Sequence, residues 1–178
     1  KYECDTIAWI NCENIEDKDY DATDIFINWT VPTASVVCRK EAMDFYANIK
    51  GAERIQNYDI FIILSCAMTG KIRGISRKMS VYRIQGEGLT YNQNALIKCK
   101  MNNPEHFECI RENFPIVARK PIDKTIAKTL FERALIRENI KLCLYDIVLS
   151  IRTSPLTFIK VALLFFTKKM KSMILSYK

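Results

Sequence analysis

Between Gln56 and Arg83 one acidic residue, Asp59, opens a short apolar run that closes at Gly70 and leads into two basic runs. The pattern predicts a helix over 60–69, with Asp59 at the capping position and Gly70 supplying a left-handed residue after the last turn. Strands are expected on the basic side, over 71–77 and 80–84. A helix this apolar must be buried, so its carboxylate end is aimed by whatever packs around it. The order is that of a site-bearing strand, helix and strand, not of a repeat.

The chain opens at Lys1 without a methionine and runs directly into Tyr2-Glu3-Cys4-Asp5-Thr6-Ile7-Ala8-Trp9-Ile10, which reads as an interior strand region. A piece of a longer protein is expected. Further strands are expected over 6–11 and 33–39, and a helix over 41–50. The acidic segment Glu13–Asp21 lacks the mid-loop glycine and terminal glutamate of a calcium-binding loop, so it reads as a solvated loop. With 49% hydrophobic and 26% charged residues the chain lies far from disordered or fibrous compositions.

Charge divides the chain near Asn92. Residues 1–92 carry 11 basic and 13 acidic groups, net −2, whereas residues 93–178 carry 16 and 7, net +9. The texture changes there too, from short β-rich runs to helical spacing. Two parts are expected, 1–92 and 93–178. In the second, Ile122, Ile126, Leu130 and Ala134, then Ile140, Leu144, Ile147, Val148 and Ile151, mark a broad apolar helical face. Pro155 after Ser154 suits the first residue of a new helix. The segment that follows, Leu156–Tyr177, is amphipathic and basic, and Lys160 interrupts its apolar run too early for a bilayer span. It is equally suited to lie on an anionic membrane surface or to pack on the preceding helices with its lysines reaching outward.

Several chemistries are poorly supported. The +7 net charge comes without an aromatic-interleaved basic stripe, which argues against nucleic acid as a partner. The one histidine, His106, lies in the polar segment Asn102–His106 and reads as a surface residue near a helix start. Neither a nucleophile elbow nor a phosphate-binding glycine loop is present. Seven cysteines without a C-x-x-C pair argue against a disulfide framework and a zinc site, and suit a reducing compartment.

The strings WTVPTASVVCRKEAMDFY (Trp29–Tyr46) and NYDIFIILSCAMTGKIRGISRKMSVYRIQGEGLTYN (Asn57–Asn92) resemble the C-terminal half of the catalytic domain of family 2 glycosyltransferases, the bacterial kind that build surface polysaccharides. In that family an apolar strand ending in arginine precedes a helix, an acidic motif opening another helix, A-x-x-G, a strand and Y-R-x-H. Ala67–Gly70 and Tyr82–Gln85 stand in that order here. The resemblance covers roughly half of the chain, and the order of elements carries more of it than any one motif.

The resemblance implies an α/β fold: a partial GT-A (Rossmann-like) domain over 1–92, followed by an α-helical extension over 93–178. It implies inverting transfer of a sugar from a nucleotide-sugar donor to a glycan or lipid-linked acceptor, in the cytoplasm or at the inner face of the plasma membrane. Asp59 matches the catalytic base, which removes the acceptor hydroxyl proton as that oxygen attacks the anomeric carbon. A dual role as base and helix cap is expected. Trp29, Thr33, Ser35, Tyr58 and Arg83 are the candidate substrate-binding residues beside it. Gln85 replaces the family's histidine, which puts metal or leaving-group assistance from that position in doubt, and Tyr58 before the base implies a remodelled acceptor pocket. A divalent metal, magnesium or manganese, is implied for the full-length enzyme with its ligands mostly outside this chain, because the D-x-D strings Asp17–Asp19 and Asp19–Asp21 lie in the polar loop. The chain by itself is therefore expected to be inactive. The alternative reading is a non-catalytic remnant that serves as a protein- or membrane-interaction module.

Overall fold

The computed structural model describes residues 15–28, 36–55, 58–77 and 93–176. It corrects the expected fold class. The described residues form seven α-helices, one 3-10 turn and a single two-stranded ladder, with no Rossmann-like α/β layer among them. The chain divides into two compact units, Lys1–Ile49 with Asn57–Gly88, and Lys50–Gln56 with Leu89–Lys178.

In the first unit, β1 (Asp19–Tyr20) pairs antiparallel with β2 (Ile72–Arg73), Asp19 opposite Arg73 and Tyr20 opposite Ile72. The acidic segment read as a loop thus supplies a strand. Gly74 lets the chains cross: a Cβ there would lie 2.5 Å from the Glu16 carbonyl oxygen and 2.6 Å from the Tyr20 ring, and its N–H donates to the Lys18 carbonyl at 2.9 Å. Helix α1 (Ala22–Asn28) was not legible as a helix, although Asp21 holds its first turn by accepting the Asp24 N–H at 2.8 Å. Helices α2 (Lys40–Ala47) and α3 (Tyr58–Thr69) follow.

The strand expected over 33–39 fails where it can be seen. Residues 36–39 join no ladder, and Val37 is 98% exposed. The apolar faces are buried by helices. Phe61 and Leu64 of α3 are fully buried, Ile60 and Ile63 nearly so, and α3 packs against α1 and α2, which contribute Ile25, Phe26 and Ala42. The strands expected over 6–11 and 80–84 lie outside the described residues.

The second unit is helical: α4 (Gln93–Asn113), α5 (Arg119–Ala134), α6 (Ile140–Thr153) and α7 (Pro155–Ser176). Helix α5 is central, packing against α4, α6 and α7, and buries Ile122, Ile126, Leu130 and Ala134 as their spacing predicts. Phe131 meets the rings of Phe158 and Phe165 edge to face, with centroids 5.6 and 6.1 Å away, fastening α7 to α5. Asn139 caps α6 by accepting from the N–H groups of Lys141 and Leu142.

The 3-10 turn Ala52–Arg54 belongs to this unit although it precedes α3 in the chain. The Asn113 side chain both accepts from the Lys50 N–H at 3.1 Å and donates to the Lys50 carbonyl at 2.9 Å. Arg54 reaches both carboxylate oxygens of Glu112, and the buried Cys109 thiol donates to the Lys50 carbonyl at 3.3 Å. Gly51 takes φ +76°, which makes the turn into Arg54 possible.

One expectation reverses in this unit. His106 is buried, because α4 continues through Pro104 instead of starting after it. On α6, the apolar face marked in the sequence is outside: Ile140, Leu144, Val148 and Ile151 are exposed, while Asp146 and Ser150 are fully buried.

Candidate functional site

Helix α3 begins at Tyr58, so Asp59 sits inside the first turn and not at the capping position. The turn is fixed from below by Ile60 and Phe61, whose side chains are buried, leaving Asp59 half-buried and Tyr58 exposed at the open end. Asp59 lies at the positive end of the helix dipole, a favourable place for a carboxylate. Tyr46 of α2 lies close enough to Tyr58 for their phenolate charges to oppose each other; burial first, then that neighbour, pushes the Tyr46 hydroxyl above its ordinary pKa. Two phenols and one carboxylate therefore belong to the α2–α3 part of this unit.

Farther along α3, Ser65 donates to the Phe61 carbonyl at 2.7 Å and Thr69 to the Ser65 carbonyl at 3.1 Å. These bonds satisfy hydroxyls on an otherwise apolar helix. The Cys66 thiol is raised by burial and by the adjacent Cys38, which opposes thiolate formation. Gly70 is not left-handed: Gly51 is the one described glycine with positive φ, and the end of α3 is instead held by the Thr69 hydroxyl, which also bonds the Cys66 carbonyl.

Of the residues expected beside the base, Tyr58 is next to it in sequence and shares its turn. Trp29, Thr33, Ser35, Arg83 and Gln85 lie outside the described residues.

Among the described residues, the aspartates of the D-x-D strings are taken up by protein partners and do not fit a metal. Asp17 accepts from both the Ser76 hydroxyl at 2.6 Å and the Ser76 N–H at 3.0 Å, and these bonds hold its pKa below the usual value. Asp19 faces Arg73 and Lys71 at 3.4 and 3.6 Å, and Asp21 caps α1. Each D-x-D string is thus committed to pairing β1 with β2 or to starting α1. Among the described residues no group of three or more His, Cys, Asp or Glu side chains is placed to hold a metal ion.

A polar centre that the sequence reading missed lies in the second unit. Arg133, 5% exposed, donates from Nε and Nη2 to the two oxygens of Asp146 at 2.9 and 2.8 Å, and from Nη1 to Glu105 and the Met101 carbonyl. Arg137 donates from Nε to the same Asp146 carboxylate. Burial opposes the charge on Arg133, and the hydrogen bonds to Asp146 and Glu105 outweigh it, leaving its pKa above the ordinary arginine value. One guanidinium thereby ties α4, α5 and α6 together. The available signal was Asp146 itself, an acid inside an apolar helical pattern, with Arg133 in the last turn of the preceding helix and Arg137 in the connection between the two.

No family model, curated protein or solved structure matches the chain.

Proposed function

We propose that this chain is the acceptor-side part of an inverting glycosyltransferase, in which Asp59 is the base that takes the proton from an acceptor hydroxyl. The observation that carries the reading is the presentation of Asp59: a partly accessible carboxylate in the first turn of a helix anchored by the buried Ile60, Phe61, Ile63 and Leu64. The order of its neighbours along the chain, from Trp29 to Asn92, supports the same reading. A base for this reaction must be held rigidly while leaving one side open to a sugar hydroxyl, and α3 meets both demands. Tyr58, exposed in the same turn, offers an aromatic face and a hydroxyl to an acceptor ring. No step is assigned to a metal: the D-x-D carboxylates Asp17, Asp19 and Asp21 are taken up by Ser76, by Arg73 and Lys71, and by the first turn of α1. The reading places the protein in the cytoplasm, where nucleotide-sugars are available.

The test is release of UDP or GDP from a panel of nucleotide-sugars, with manganese or magnesium, by the natural full-length polypeptide. Asp59→Asn should lower turnover by about 10²–10⁴-fold, the range for loss of a general base, with an unchanged melting temperature because the side chain is partly exposed. Release that is indifferent to Asp59, or no release from a folded protein with any donor and acceptor, would refute the reading and favour a non-catalytic interaction module.

A further inference from the structure

Helices α6 and α7 each pack one side toward α5 and leave an apolar stripe on the other. On α6, Ser150 donates to the Ala127 carbonyl at 2.6 Å and Asp146 meets Arg133, so its polar side is the inner one. Ile140, Leu144, Val148 and Ile151, spaced by three or four residues, form a single outer row, with Ile140 73% exposed. On α7, Phe158 and Phe165 face Phe131, while Leu156, Ile159, Leu163, Phe166 and Met170 make a second outer row at the same helical spacing. Leu156 is 82% exposed and Phe166 61%. Two adjacent, packed helices with nine large apolar side chains outward form more apolar surface than isolated exposed residues would.

The charges beside these rows are of one sign. Over 140–176 the sequence has six basic residues, Lys141, Arg152, Lys160, Lys168, Lys169 and Lys171, and one acid, Asp146. That acid is buried and paired. Lys141, Arg152, Lys160 and Lys168 are exposed. Lys160 lies one turn from both Leu156 and Leu164, and Arg152 one turn from Val148, so the cations flank the apolar rows. No described helix is long and apolar enough to cross a membrane.

We propose that the outer face of α6 and α7 docks on the surface of an anionic lipid bilayer, with the apolar rows entering the interface and the flanking lysines and arginine meeting lipid phosphates. Charge complementarity selects this occupant. A second copy of the chain would set lysines against lysines, since a two-fold contact pairs like surfaces. Nucleic acid would satisfy the cations and leave the apolar rows in water. A bilayer surface takes both, and a helix with apolar and cationic faces lies in the interface instead of spanning it. This inference is independent of any role for Asp59.

The experiment is co-sedimentation of the full chain with vesicles of phosphatidylcholine alone and of phosphatidylcholine mixed with phosphatidylglycerol. Binding is expected to the mixed vesicles and to fall steeply in high salt. Each cation near an anionic surface is worth about fivefold in binding, so Lys160→Glu with Lys168→Glu should weaken it by at least about 25-fold. Leu163→Glu with Phe166→Glu should abolish it even at low salt, while helix content by circular dichroism stays unchanged, because all four side chains are outside the core. Equal binding to both vesicle types, binding insensitive to the leucine and phenylalanine changes, or a dimer or an oligonucleotide complex formed through this face without vesicle binding would each overturn the proposal.

Discussion

Replacing Asp146 by alanine removes the one carboxylate that faces both Arg133 and Arg137 in the interior of the second unit. Breaking a buried ion pair from one side costs about 3–5 kcal/mol, because the remaining charge stays desolvated. The geometry places this case near the lower end. Arg133 keeps Glu105 and the Met101 carbonyl on Nη1, and Arg137 is close enough to the surface to turn outward. The expected loss is therefore about 3 kcal/mol, or roughly 6–12 °C in melting temperature at 2–4 °C per kcal/mol for a chain of this size. The companion variant, Arg133→Met with Asp146→Leu, fills the same space with apolar groups, and Glu105, already near the surface, can return to water. That double change should recover most of the loss, since apolar replacement of a whole buried pair is often neutral or stabilising. Urea unfolding of wild type, Arg133→Met, Asp146→Leu and the double variant, followed by circular dichroism, closes the cycle, and a coupling above about 2 kcal/mol is expected. A loss below about 1 kcal/mol for Asp146→Ala, or no recovery in the double variant, would refute the idea that this guanidinium–carboxylate contact joins the three helices.

Burial holds the His106 imidazole down to a pKa of about 4, against 6.5 for the free side chain. The unfolded chain takes up this proton first as pH falls, so stability should decline between pH 6.5 and about 4, by up to about 3 kcal/mol. His106→Gln should flatten that part of a stability-against-pH profile measured in urea, and an unchanged slope would count against the assignment. Gly51→Ala imposes a left-handed alanine and drives its Cβ into the Arg54 guanidinium, so a loss of about 1–2 kcal/mol is expected; the same substitution at Gly70, which has open space and no positive φ, should cost no more than a few tenths.

The helices that could be read from the sequence were those whose apolar spacing answers to a single packed side. Ile122, Ile126, Leu130 and Ala134 of α5 and the apolar run of α3 behave this way. Periodicity places apolar residues on one face, but it does not say whether that face looks inward. On α6 the inward side was decided by two polar partners on α5, Arg133 for Asp146 and the Ala127 carbonyl for Ser150, and no local pattern contains them. His106 was misplaced for a related reason: its polar segment suggested a helix start on the surface, yet α4 runs through that segment. Short β-rich runs suggested a layered sheet, but strand identity depends on a neighbouring strand, and the described partner of Ile72–Arg73 is only two residues long. For the candidate site, the sequence reading put the helix start at Ile60 with Asp59 as its cap, two residues later than the observed start at Tyr58. It did not show that the carboxylates of the acidic segment would be taken by Ser76, Arg73 and the first turn of α1, since those partners are more than fifty residues away for Asp17 and Asp19.

The short passage from Lys50 to Gln56 gives this protein an order of assembly. It leaves the ribosome before α3 but binds α4, through contacts 58 to 63 residues distant in the chain. Closing such a loop must wait until Asn113 has been synthesised, by which point the chain of the first unit, ending at Gly88, is already made. The second unit is thus the later to mature, and it matures around a strip of chain borrowed from the middle of its neighbour's sequence. No single cut can release either unit whole, and a change in length between residues 50 and 56 would be felt by both.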